Sequence, residues 1–235
     1  MLVSIWSPKG GSGTSVVAAV VAAVVAKAHP DVRLVDLAGD QPAVCGVRLS
    51  ARLGARALFD AESDVEVRDG ALDALTVEID EGFRMVPAGR ASLDHASADR
   101  GAVVARALRH ALPLYVVDAG CVAAPGVASL VRASDLALMV IRPCFLALHR
   151  ASARVDLVER STGIVCVSEP GRALSVRDVS SVLGRPVLCE VDIDPDVARS
   201  VDAGVLLRRE PHAVFVPITR MCRRLGLSMR DENVA

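Results

Sequence analysis

The sequence predicts an α/β fold in which a mostly parallel, twisted sheet carries helices on both faces. Three observations predict it. Short runs rich in Val, Leu and Ile alternate with helix-length segments along the chain, the pattern of parallel strands joined by crossover helices. Most of these runs are continuously apolar, as strands buried on both faces are. The first run also leads through a glycine-rich loop into a long Ala/Val segment, which makes a strand–loop–helix unit at the start of the chain.

Taken in order, residues 2–6 form the first apolar run, residues 7–15 the loop, and residues 15–28 the first helix. Further strands are expected at 32–37, 83–87, 114–118, 136–141, 163–167 and 186–191. Helices are expected at 98–111, 126–133, 145–159, 175–183 and 195–203, with a last one over 212–227 before a short polar tail. Residues 51–82 are less regular and more charged, and read as a peripheral helix with a loop or edge strand. No internal repeat or low-complexity linker divides the 235 residues, so residues 1–235 are expected to form a single domain.

Composition narrows the function. Hydrophobic residues make up 52% of the chain and aromatics 3%, so Ala, Val and Leu must fill the core. A net charge of −1 predicts no bulk attraction to nucleic acid or an anionic membrane. The six cysteines include no CxxC pair. They read as small buried hydrophobes in a reducing compartment, not as a disulfide framework or zinc site. The first residues lack the basic flank and length of a signal peptide, and segment 15–28 is shorter than a membrane span. A cytoplasmic location is expected. The five histidines are scattered and read as surface or capping residues.

The loop Ser7-Pro8-Lys9-Gly10-Gly11-Ser12-Gly13-Thr14-Ser15 has the chemistry of a phosphate cradle. Gly10, Gly11 and Gly13 permit positive φ and close backbone approach. Their N–H groups, with those of Ser12 and Thr14, can turn around an anion at the helix N-terminus. Ser15 carries a hydroxyl suited to Mg²⁺. In such sheets ligands sit at the carboxyl ends of strands, which draws attention to Asp36 and Asp118. Each ends an apolar run, and an aspartate in that place can hold Mg²⁺ through water.

Lys9-Gly10-Gly11-Ser12-Gly13-Thr14-Ser15 resembles the K-G-G-x-G-K-[ST] loop of the MinD/ParA group of deviant Walker A P-loop ATPases, especially its CpaE/TadZ-like branch, in all but the second lysine. Val35-Asp36-Leu37 is similar to the group's switch I strand end, and Val116-Val117-Asp118 to its Walker B strand. Asp192-Ile193-Asp194-Pro195 with Ala203-Gly204 resembles the late loop that flanks the base. The resemblance implies a SIMIBI-type P-loop NTPase fold, ATP or ADP with Mg²⁺ as ligands, a nucleotide-sandwich homodimer and a protein partner. It also implies that Lys9 reaches the phosphates of the opposite subunit.

Three departures fall on three separate parts of the group's ATPase machinery. Thr14 stands where a lysine contributes charge to the β- and γ-phosphates. Ala38 stands where an aspartate orients the attacking water. Ser168-Glu169-Pro170 offers no amide to read adenine. Losing one strong electrostatic donor costs about 10²–10³ in rate. The expectation is a spatial-regulation or assembly protein that binds adenine nucleotide weakly or not at all, with impaired hydrolysis. Two alternatives are a slow ATPase switch that uses Lys9, with Asp40 standing in for the missing aspartate, and a nucleotide-free interaction scaffold. The helix 212–227 reads as docked on the chain's own core, with membrane contact as the lesser alternative.

Overall fold

A computed structural model describes residues 1–49, 54–59 and 72–227. Strand β1 (Leu2–Ser7) is wholly buried and leads into α1 (Thr14–Ala26). β2 (Val32–Asp36), the short α2 (Gln41–Val44), β3 (Val77–Asp80), β4 (Phe83–Val86) and α3 (Ala98–His110) follow. The chain continues through β5 (Leu114–Cys121), α4 (Pro125–Ala133), β6 (Leu136–Ile141), α5 (Phe145–Ser152), α6 (Val155–Arg160) and β7 (Gly163–Ser168). It closes with α7 (Val176–Leu183), β8 (Val187–Asp192), α8 (Pro195–Asp202), α9 (Leu206–Arg209) and α10 (His212–Arg224).

The eight strands lie in the order β3-β4-β2-β5-β1-β6-β7-β8. All neighbours run parallel except β3, which pairs antiparallel with β4 at the sheet edge. Two apolar cores lie on opposite faces. One packs α1 and α10 onto the sheet; the other packs α3 to α7. The run of Val and Ala that fills α1 after Ser15 is explained by its place, since ten residues of the helix are buried between the sheet and its neighbours. Among the described residues no helix is long and apolar enough to cross a membrane.

Local sequence signals account for several boundaries. Ser97 Oγ accepts from the Arg100 N–H at 3.2 Å to open α3. Ser175 and Asp178 form a reciprocal capping box on α7. The edge strand expected within 51–82 is β3; the helix expected there is only partly covered, because residues 50–53 and 60–71 lie outside the described residues. One expected helix is two: segment 145–159 breaks between α5 and α6. Arg154 leaves the helical region there, with φ −125° and ψ 49°, and its guanidinium donates to the Val122 carbonyl at 2.7 Å.

The cysteines are also more varied than expected. Cys166, Cys189 and Cys222 are buried, Cys45 and Cys144 are half-buried, and Cys121 is exposed at the end of β5. Burial pushes the Cys189 and Cys222 thiols up to about 12, so these two stay protonated and inert.

Candidate functional site

The carboxyl ends of β1, β2 and β5 meet beside the N-terminus of α1. Asp36 and Asp118 are neighbours across the β2–β5 pair. A register shift between Ile5 and Trp6 sets Ile5 opposite Asp118 and Trp6 opposite Gly120. The strand end of β5 bulges there, and Gly120 takes φ 58°. Bulges of this kind re-aim backbone next to functional sites. The bulge brings Gly120 against Ala38, so close that a Cβ on Gly120 would stand 3.0 Å from the Ala38 methyl.

The loop between β1 and α1 is pinned from within. Ser7 Oγ and Ser12 Oγ both donate to the Lys9 carbonyl, at 2.7 and 2.9 Å. Gly11 and Gly13 hold φ of 74° and 85°, a region closed to most other residues. The consequence is a set of exposed donors. No acceptor among the described residues takes a hydrogen bond from the N–H groups of Gly11, Gly13, Thr14 or Ser15. All four residues line a cavity of about 690 Å³, whose other walls include Ala38, Asp40, Arg56 and Gly120.

Beneath the cavity lies a buried carboxylate pair, with both residues fully shielded from solvent. Asp36 accepts from the N–H groups of Gly39 at 2.6 Å and Gln41 at 3.2 Å. Asp118 accepts from the Gly120 N–H at 3.0 Å and from Gln41 Nε2 at 2.7 Å. Gln41 Nε2 also donates to the Ser15 carbonyl at 2.9 Å. Gln41 therefore ties the loop, β2 and β5 together. Burial raises the Asp36 carboxyl to about 6, and the neighbouring Asp118 charge adds to the shift. Burial raises Asp118 as well, opposed by its hydrogen bonds from Ser15 and Gln41.

The expected residues fall as follows. Gly10, Gly11, Gly13, Thr14, Ser15 and Asp40 line one cavity; Ser12 is buried beneath the loop. Thr14 is the first residue of α1, 8% exposed, and brings no charge. Lys9 sits at the loop entrance, its ammonium donating to the Gly10 carbonyl at 3.0 Å. Asp40 is exposed at the start of α2 and makes no side-chain cap. Glu169, in the segment where the resemblance expects an adenine-reading amide, is held by Arg142 and Arg172. Among the described residues no group of three or more His, Cys, Asp or Glu side chains could hold a metal. The donor set at the site is Ser15 with the Asp36–Asp118 pair.

Two residues escaped the sequence reading. Gln41 is one. Arg56 is the other: its guanidinium donates to the Leu37 and Ala38 carbonyls at 3.1 and 2.7 Å and faces the cavity. The only sequence signal for Gln41 is its place just after the second strand end. Arg56 has none, because it comes from the irregular segment.

A strand, an anion-cradling loop and a helix N-terminus beside a strand-end aspartate define a P-loop NTPase fold. Solved structures agree. The ParA family ATPase of Chlorobium tepidum TLS superposes with a TM-score of 0.75 at 19% identity, over 95% of this chain and 98% of that one. MinD in the MinC:MinD complex of Aquifex aeolicus gives 0.75 at 17%, over 100% and 99%. MinD of Pyrococcus horikoshii OT3, complexed with Mg-ADP, gives 0.73 at 17%, over 95% of each chain. The chain matches no family model and no curated protein sequence. At these identities the likeness establishes the fold, which is that of the MinD/ParA P-loop ATPases.

Proposed function

We propose that this chain is a spatial-regulation or assembly protein of the MinD/ParA kind, on the CpaE-like side of that group. Its loop takes up adenine nucleotide weakly with Mg²⁺ and hydrolyses it at or near the background rate. Its output is a protein–protein surface set by occupancy rather than by turnover.

One observation carries the binding half of this reading: the free N–H groups of Gly11, Gly13, Thr14 and Ser15 converge on one cavity. Backbone donors at a helix N-terminus suit phosphate oxygens without any side-chain charge. The cavity's other charges favour the cation as much as the anion. Asp40 and Asp94 line it, Asp36 and Asp118 lie under it, and Arg56 is the one cationic lining residue among the described residues. A bare polyphosphate would meet net negative walls. Bound Mg²⁺ would supply positive charge that offsets that repulsion. The Ser15 hydroxyl would reach it directly, Asp118 and Asp36 through water, and Arg56 would supply the fixed positive charge that Thr14 does not.

The catalytic half rests on what stands at two positions. Phosphoryl transfer depends on positioning and charge stabilisation. Thr14 is neutral, and the Ala38 methyl has nothing with which to hold a water. Asp40, exposed at the start of α2, has no hydrogen-bond partner among the described residues that fixes its side chain. Calorimetric titration with ATP and Mg²⁺ tests the binding half. Wild type should bind, and Gly11→Val should not, because a β-branched residue cannot hold the φ of 74° that the loop needs there. Equal affinity in the two proteins would place the site elsewhere.

A further inference from the structure

The last helix has two faces of different chemistry. Val214, Phe215, Ile218, Met221 and Cys222 are buried in the core shared with α1. The outer face is basic. Lys27, Arg208, Arg209, His212, Arg220 and Arg223 line one groove of about 540 Å³ between α9 and α10. Its one acidic residue among the described residues, Glu210, is already paired with Lys27. Arg209 lies 3.7 Å from Asp196. Arg208, Arg220 and Arg223 have no acidic partner among the described residues, and all three are exposed. In a chain with a net charge of −1, such a concentration is local and unbalanced.

We infer that this groove is a docking site for a short acidic peptide segment of a partner protein. Three features select that occupant. The apolar face of α10 is spent on the core, and Val216 is the only large apolar side chain it exposes, so a lipid surface would find no anchor. The patch is short: the eleven steps from His212 to Arg223 rise about 17 Å, which five or six extended peptide residues span.

The patch is also bounded. The adjoining cavity shares Lys27, Arg208 and Glu210 with the groove, and its far wall carries Glu78, Asp80 and Glu81. A long polyanion such as a DNA duplex would run from the arginines into that acidic wall, whereas a short acidic segment ends before it. Arginines offer forked donors that suit carboxylates, and Val216 gives apolar side chains of the peptide a surface to cover.

Fluorescence anisotropy of a labelled oligoglutamate peptide against the full chain tests this inference, with a short random-sequence DNA duplex as the second probe. The peptide should bind at low ionic strength, more tightly than the duplex, and more weakly as salt is added. The double variant Arg220→Glu/Arg223→Glu should weaken peptide binding about tenfold or more. The charge-matched control Arg106→Glu/Arg177→Glu, on exposed positions of α3 and α7, should leave it within about twofold. Absence of peptide binding would overturn the inference, as would equal loss in both variants. Tighter binding of the duplex, lost in the Arg220/Arg223 variant, would reassign the groove to nucleic acid.

Discussion

Asp36→Asn should change stability in opposite directions at low and neutral pH. Burial raises the Asp36 carboxyl from 3.8 to about 6 in the folded chain. The folded state therefore holds this proton more tightly than the unfolded state. The contribution of Asp36 is most favourable below about pH 4, is lost as pH rises through the window from about 4 to 6, and is constant above it. A shift of roughly two units at about 1.4 kcal/mol each makes the ionised group cost about 3 kcal/mol at pH 7.5. Asparagine removes that cost. It also turns one acceptor into an NH₂ group facing the Gly39 or Gln41 N–H, which costs about 1–2 kcal/mol. The variant should thus be about 1–2 kcal/mol more stable than wild type at pH 7.5 and less stable than wild type near pH 4.5. Urea unfolding followed by circular dichroism at the two pH values reads both differences. Equal destabilisation at both would refute the reasoning, because it would mean that Asp36 acts only as a hydrogen-bond acceptor.

Further outcomes follow from the same site. Arg56→Ala should weaken binding of ATP with Mg²⁺ about tenfold or more, since it removes a cation that lines the cavity; unchanged affinity in calorimetry would take Arg56 out of the phosphate site. Lys9→Ala should leave the unfolding midpoint nearly unchanged, because its ammonium only meets the carbonyl of its own loop. The same variant should weaken any nucleotide-dependent dimer seen by sedimentation, and a dimer of equal strength with and without nucleotide would point to a constitutive interface instead.

The parts of this fold that were legible in the sequence are those set by short-range physics. Continuous apolar runs became buried strands, and Gly11 and Gly13 marked the two positions where the loop needs positive φ. The position of Asp36 at the end of β2 was likewise readable, whereas β5 runs past Asp118, its expected last residue, to Cys121. What escaped depends on contacts distant in sequence. The break at Arg154 is fixed by a carbonyl 32 residues away. Gln41 matters because its amide reaches Asp118, 77 residues on, and nothing next to Gln41 announces that. Cys121 reads with the other cysteines as a small buried hydrophobe, yet β5 ends there and the side chain is exposed and lines the cavity. The last helix carries Arg220, Arg223 and Arg224 in its sequence. Its groove was not legible there, since α9 and Lys27 complete it.

The claim at the centre of this account is that the cradle outlives the catalyst: phosphate donors remain where the charged and water-holding side chains are gone. Steady-state release of inorganic phosphate by the purified chain, at ATP and Mg²⁺ concentrations that saturate binding, tests it most directly. The account predicts a rate at or near the uncatalysed background, unchanged by Lys9→Ala. A clear steady-state rate that Lys9→Ala removes would contradict it and establish a working ATPase.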